Sequence, residues 1–247
     1  MSEAPPEPFA AAFFDIGGVI VSLPSIRQGY VDYLTEFARE HDLEPGPAIE
    51  QWRETLGKHF RAAEGTEYRT AREGYRKAFA ALVDCDLAEE EWRPGFEAAT
   101  SAAMEPEPNV VDAIETLADR GLYLGIVSDI DTAEAHRMLE QFGIDDAFDG
   151  VTTSEAVGRK KPDPAMFEHA LEQAPVDPDE AVVIGDRYDH DMEGGKAAGL
   201  WTVAYNGSAA EAVADAERDG YRVLDDPAVD FLLSDHADLP ALIGLEA

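Results

Sequence analysis

Asp15, Ser128, Lys161, Asp186 and Asp191 are the residues whose types could act together. Three carboxylates brought close repel one another unless a hard cation sits among them. Mg²⁺ suits such a set, because it takes a few carboxylates plus water and substrate phosphate. An ammonium and a hydroxyl beside it would then meet the remaining phosphate oxygens. The spacing places three of the five at one kind of position. Asp15 ends the uncharged run Phe9 to Phe14, Ser128 ends Leu122 to Val127, and Gly185–Asp186 ends Ala181 to Ile184. Asp191 lies five residues beyond Asp186, at the start of the next helical stretch. Lys161, in Lys160–Lys161–Pro162, precedes a helix. Carboxylates and hydroxyls that follow buried strands collect at the carboxyl edge of an open α/β sheet, where such folds bind ligands. Gly17 and Gly18 follow Asp15 and let the backbone turn tightly beside a ligand.

The elements that must position these residues change style along the chain. After Ile20, a helical period replaces the strand pattern. Ser25 to His41, Ala48 to Ala63, Thr70 to Val83 and Ala88 to Met104 read as four helices with no strand between them, closed by Pro106 and Pro108. From Asn109 onward helices and strands alternate. Helices are expected at Val110 to Arg120, Thr132 to Phe142, Pro164 to Gln173 and Asp191 to Ala198. Further strands are expected at Gly150 to Thr153, Leu200 to Ala204 and Tyr221 to Leu224, before a terminal helix at Ala228 to Leu233. Alternation of this kind means a parallel sheet with helices on both faces. The organisation expected is therefore an α/β core of residues 1–21 and 105–247, with an all-helical segment, 22–104, inserted after the first strand.

The 247 residues carry 52 acidic against 19 basic side chains, a formal net charge of −33. No basic stripe exists to neutralise nucleic-acid phosphates or to hold an anionic membrane, so neither is an expected partner. The acids are dispersed, which resembles a halophile's surface, where salt screens self-repulsion. No run is long and apolar enough to span a bilayer. Met1 to Pro8 is acidic and proline-rich, unlike a signal peptide, and is expected to be a frayed tail. The single cysteine, Cys85, precludes an internal disulfide. A reducing cytoplasm and a monomer or homodimer are the expected setting.

The ordered motifs resemble the haloacid dehalogenase superfamily, over nearly the whole chain. Asp15–Ile16–Gly17–Gly18–Val19 is similar to its first motif, Ser128 to the hydroxyl of the second, and Lys161 to the lysine of the third. Gly185–Asp186–Arg187–Tyr188–Asp189–His190–Asp191, continued through Gly199, resembles the metal-binding fourth. The resemblance implies a Rossmann-like doubly wound core with a helical cap. It implies Asp15 as nucleophile, with Ser128 and Lys161 as its catalytic partners. Mg²⁺ would be held by Asp15, the Gly17 carbonyl, Asp186 and, through water or from behind, Asp191. Gly18, Asp129 and Arg187 are the expected substrate contacts, and the substrate a small phosphorylated molecule. His59, His136, His169 and His190 read as surface or capping residues, Lys58 as a surface lysine, and Arg69, Arg72 and Arg76 as partners of nearby acids.

Two departures from the family pattern stand out. Gly17 occupies the place of the second aspartate that usually protonates the leaving group, and Asp129 follows the motif-two hydroxyl where asparagine is frequent. The family's dehalogenases and phosphonate-cleaving members also lack that aspartate, and a binding or regulatory member without turnover would tolerate its loss. Dehalogenation needs no metal, however, and retained Asp186 and Asp191 favour phosphoryl transfer.

Overall fold

Ala11–Phe14, an uncharged run with every side chain buried, forms strand β1 at the middle of the sheet. The structure is a computed structural model and describes residues 8–245; the expected frayed start, apart from Pro8, lies outside them. The parallel strands β2 (Tyr123–Ser128) and β4 (Ala181–Gly185) flank β1, with Phe14 level with Ile126 and Ile184. Strand β3 (Gly150–Thr153) pairs parallel with β2, and β5 (Trp201–Tyr205) with β4. Short antiparallel strands β6 (Arg218–Asp219) and β7 (Arg222–Val223) complete the far edge beside β8 (Phe231–Leu233). The strand order is β3-β2-β1-β4-β5-β8-β7-β6. The chain therefore reverses direction across the sheet between β1 and β4, the crevice where doubly wound folds take ligands.

The chain divides into two units, Met1–Ile20 with Pro106–Ala247, and Val21–Glu105. The second is all-helical: α1 (Leu23–Glu40), α2 (Pro45–Arg61), α3 (Ala71–Val83) and α4 (Glu89–Ala103). Its core is largely aromatic, with Phe37, Trp52, Phe79, Trp92 and Phe96 buried together. Helices α1 and α4 pack closely because Gly29 has no side chain; a Cβ there would lie 2.8 Å from the Thr100 Cα. In the sheet unit the helices are α5 (Val110–Asp119), α6 (Thr132–Gln141), α7 (Ser154–Val157), α8 (Pro164–Gln173), α9 (Glu193–Ala197), α10 (Gly207–Ala212) and α11 (Leu239–Leu242). Among the described residues no helix is long and apolar enough to cross a membrane.

The expected terminal helix at Ala228 to Leu233 is not formed. Asp226 Oδ1 accepts from the Ala228 and Val229 amides, both at 2.8 Å, and turns the chain. Phe231–Leu233 then runs parallel to β5, with Phe231 level with Val203. Its buried–half-buried–buried alternation is a strand period, too short to distinguish from a helical turn in sequence. The helix expected from Asp191 instead begins with one π-helical turn, Tyr188–Met192, before α9. Such single turns of wider helix recur at functional sites.

Candidate active site

Three of the expected residues take their places from strand ends. Asp15 follows β1 and Asp186 follows β4, so the two face each other across the switch point; Ser128 is the last residue of β2. Lys161 sits in the loop before α8, with a cis bond to Pro162. Although charged, it is only 1% exposed. Its Nζ lies 2.5 Å from Asp191 Oδ1 and 3.3 Å from Asp15 Oδ1, and donates to the Val127 carbonyl at 2.8 Å. A buried ammonium so surrounded is well satisfied. Burial alone would lower its pKa, but Asp15, Asp191 and Asp129 together hold it above the usual lysine range.

Three donors converge on one oxygen of Asp15. Ser128 Oγ donates at 2.6 Å, the Ile16 amide at 2.8 Å, and Lys161 Nζ lies at 3.3 Å, all to Oδ1. Among the described residues none reaches Oδ2. The carboxylate is thus held rigidly by one oxygen, with the lone pairs of the other available to attack.

Asp186 is in the opposite condition. Its Oδ1 is buried and, among the described residues, has no hydrogen-bond partner. Burial, then the charges of Asp15 and Asp191, push its carboxyl up to about 7. Gly18, at φ +80°, presses against it; a Cβ there would lie 2.6 Å from Asp186 Oδ2. Ligand atoms of Asp15, Asp186 and Asp191 all lie within 4.8 Å of one another. Three carboxylates stand against one ammonium. A partnerless buried oxygen in an all-oxygen donor set fits a hard divalent cation such as Mg²⁺. Asp191 is differently placed: its Oδ1 faces Lys161 and its Oδ2 accepts from the Arg187 amide at 3.0 Å. Asp191 can close up beneath the strand because Gly185 has no side chain; a Cβ there would overlap Asp191 Cβ.

The structure turns Asp129 away from the role expected of it. Its Oδ1 accepts from Ser154 Oγ and from the Lys161 amide, both at 2.8 Å. Its Oδ2 lies 3.0 Å from His190 Nδ1 and 3.6 Å from Arg187 Nη1. Burial would raise this carboxyl, but the His190 bond and Lys161 hold it below the usual aspartate range. Asp129 therefore ties the Lys161 loop to the π-turn, and both its oxygens have protein partners. His190, which reads as a surface or capping residue in sequence, is buried. Its Nδ1 proton serves Asp129, leaving Nε2 to accept from Arg187 Nη2 at 2.5 Å. The only signal was its position directly before Asp191. Arg187 is exposed at this edge.

The remaining candidates lie elsewhere. His59 is buried in the helical unit, against the Thr70 carbonyl at 3.0 Å, and not on the surface. His136 pairs with Asp145 at 2.9 Å, and Lys58 with Glu54 at 2.9 Å. Arg69 and Arg76 face Glu67 and Asp86.

A protein-family model for haloacid dehalogenase-like hydrolases matches residues 9–199. Among curated relatives, a glyceraldehyde 3-phosphate phosphatase of Methanothermobacter thermautotrophicus is 33% identical over 49% of this chain and 54% of its own. Haloacid dehalogenase-like hydrolase domain-containing protein 3 of Mus musculus is 41% identical over 52% and 48%. A ribulose-1,5-bisphosphate 5-phosphatase of Halopiger xanaduensis is 34% identical over 41% and 42%. The matches thus span about half the length of these relatives. Among solved structures, a phosphatase from Thermococcus onnurineus superposes with a TM-score of 0.67 at 24% identity, covering 96% of this chain and 98% of that one. An L-2-haloacid dehalogenase from Xanthobacter autotrophicus gives 0.67 at 19%, covering 97% and 100%; both show the shared fold. With its motifs seated at the strand ends and the family model covering most of its length, the chain belongs to the haloacid dehalogenase-like hydrolases.

Proposed function

We propose that the protein is a Mg²⁺-dependent phosphatase of a small phosphorylated metabolite, acting through an aspartyl phosphate at Asp15. The observation that carries this reading is the pairing of an anchored Asp15 with the partnerless oxygen of Asp186. Asp15, the Gly17 carbonyl and Asp186 would hold the ion, with Asp191 supporting from behind. Bound there, Mg²⁺ would neutralise charge on the phosphoryl oxygens. Asp15 Oδ2 attacks phosphorus in line with the leaving oxygen. Ser128 and Lys161 turn their donors from Asp15 to the equatorial oxygens as charge spreads over them. Water then attacks the same phosphorus, the bond to Asp15 breaks, and inorganic phosphate leaves. Relatives named for glyceraldehyde 3-phosphate and ribulose 1,5-bisphosphate support a sugar-phosphate class of substrate. The helical unit is then the cap, and the dispersed acidic surface supports a halophilic, cytoplasmic setting.

The test is turnover over a panel of phosphorylated metabolites and 2-haloacids, with Mg²⁺ in molar salt. Phosphate release is expected. Halide release without phosphate release would replace this reading with dehalogenation.

Gly17 supplies no proton to the leaving oxygen. General acid help is worth about 10²–10⁴-fold, so rates should fall steeply as leaving-group basicity rises from aryl to alkyl phosphates. Gly17→Asp should flatten that dependence. A wild type already insensitive to leaving group, with chemistry rate-limiting, would show that another residue is the acid.

Asp186 sets a pH dependence for metal binding. Its carboxyl titrates near 7 in the metal-free fold, above its unfolded range. Protonation of this group favours the fold at low pH, and that contribution is lost as pH rises through about 7. The ionised form is the one that takes Mg²⁺. Apparent Mg²⁺ affinity should climb roughly tenfold per pH unit below 7 and level off above it. The rise in melting temperature on adding Mg²⁺ should be larger at pH 8 than at pH 6. Equal shifts at the two pH values would contradict the assignment.

A further inference from the structure

His236 lies 217 residues beyond Val19, yet its Nε2 donates to the Val19 carbonyl at 2.9 Å. The side chain is 0% exposed. Burial pushes its pKa down to about 4, so the imidazole is neutral with a single N–H. Its other nitrogen, Nδ1, is buried and has no hydrogen-bond partner among the described residues. Burying an imidazole with an unpaired nitrogen costs free energy. The Val19 bond offsets part of that cost.

That bond falls on a short turn whose Ile16, Val19 and Ile20 side chains are buried. Asp15 through Ile20 fold back on themselves, with the Val19 and Ile20 amides reaching the Ile16 carbonyl at 3.4 and 2.9 Å. Gly17 and Gly18, inside the turn, contribute no side chain to fix it. The neighbouring carbonyl, Ile20, accepts from the Glu107 amide at 2.8 Å. Glu107 is in turn held by Tyr205 Oη and Asn206 Nδ2, both at 3.3 Å. The Tyr205 ring lies 4.1 Å from that of His236. The segment carrying His236 is itself anchored: Asp235 Oδ1 accepts from the Ala237 amide at 2.9 Å and from Asn109 at 2.8 Å. Farther on, the Ile243 carbonyl accepts from the Phe9 amide at 3.1 Å. The C-terminal segment thus grips the chain on both sides of β1.

We infer that His236 is a positioning residue for the Gly17–Gly18 turn: through the Val19 carbonyl it holds the Gly17 carbonyl and Asp15 in register with Asp186. The inference deepens the phosphatase reading and rests on it for the kinetic effect, though not for the effect on the turn itself.

Three substitutions separate the bond from the packing. His236→Phe keeps a ring against Tyr205 and removes the donor. His236→Gln carries an amide nitrogen as many bonds from Cα as Nε2. His236→Asn stops one bond short, and repeats the loss of the donor in a smaller side chain. In metal-free protein, amide hydrogen exchange across residues 16–20 should quicken at least about tenfold in His236→Phe and His236→Asn, while β4 and β5 stay protected. Mg²⁺ affinity by calorimetry should fall roughly 10–100-fold, the scale for losing a group that orients a metal ligand. With p-nitrophenyl phosphate at saturating Mg²⁺, kcat should fall more than KM changes. His236→Gln should restore all three. Exchange that quickens uniformly over the sheet, Mg²⁺ affinity unchanged in His236→Phe, or a His236→Gln no better than His236→Phe would each overturn the inference. A wild type that hydrolyses no phosphate ester would sink the phosphatase reading, and exchange and calorimetry would still decide the role of His236.

Discussion

Asp15→Asn is expected to lower kcat by roughly four orders of magnitude or more, as removal of a covalent nucleophile does elsewhere, while leaving the fold intact. The substitution keeps the side-chain volume and keeps a carbonyl oxygen where Oδ1 accepts from Ser128 and the Ile16 amide. An amide, unlike a carboxylate, has no lone pair basic enough to attack phosphorus. One of three crowded negative charges is also removed, so the metal-free melting temperature should hold or rise. Steady-state kinetics at saturating Mg²⁺, with a thermal melt in chelator, checks both halves. Activity within tenfold of wild type would mean that another group attacks.

Lys161→Met is expected to destabilise the metal-free protein by about 3–5 kcal/mol, the cost of stripping one partner from a buried ionic cluster. For a domain of this size that is a fall of roughly 6–20 °C in melting temperature. The methionine fills most of the same space, so packing contributes little and the charge dominates. Asp191, 0% exposed and 2.5 Å from Nζ, loses its cation, and Asp15 loses the ammonium at 3.3 Å. The stranded carboxylates can take up protons, so the loss should be smaller at pH 6 than at pH 8. Mg²⁺ should recover part of it, because a dication beside Asp15 and Asp186 supplies the missing positive charge. Thermal melts at the two pH values, with chelator and with Mg²⁺, read out all of this. A shift under about 2 °C would show that the ammonium is not what holds the three carboxylates together.

The strand ends were legible because each is marked by chemistry that a buried strand excludes. An uncharged run that stops at Asp15, or at Gly185–Asp186, must end its strand there, and parallel topology brings such ends to one edge. The helical segment was legible for a similar reason: four stretches of helical period, with no strand among them, must pack as helices. The failures share a different cause. Ala228 to Leu233 is too short for its periodicity to choose a structure, and the open edge of β5 decides it. His190 carries no local mark of burial. Asp129, just past the end of β2, comes to it from 61 residues away in the chain.

The sequence by itself determined which residues could do chemistry and in what order they reach the sheet edge, since residue type and hydrophobic period are local properties. The tertiary structure alone decided how those groups share their bonds. Asp129 faces His190 and the Lys161 amide, Asp186 keeps one oxygen without a partner among the described residues, and His236 reaches Val19 across 217 residues. A hydrogen bond depends on where two atoms lie to within a few tenths of an ångström. That distance is set by packing over the whole sheet, which no short stretch of sequence contains.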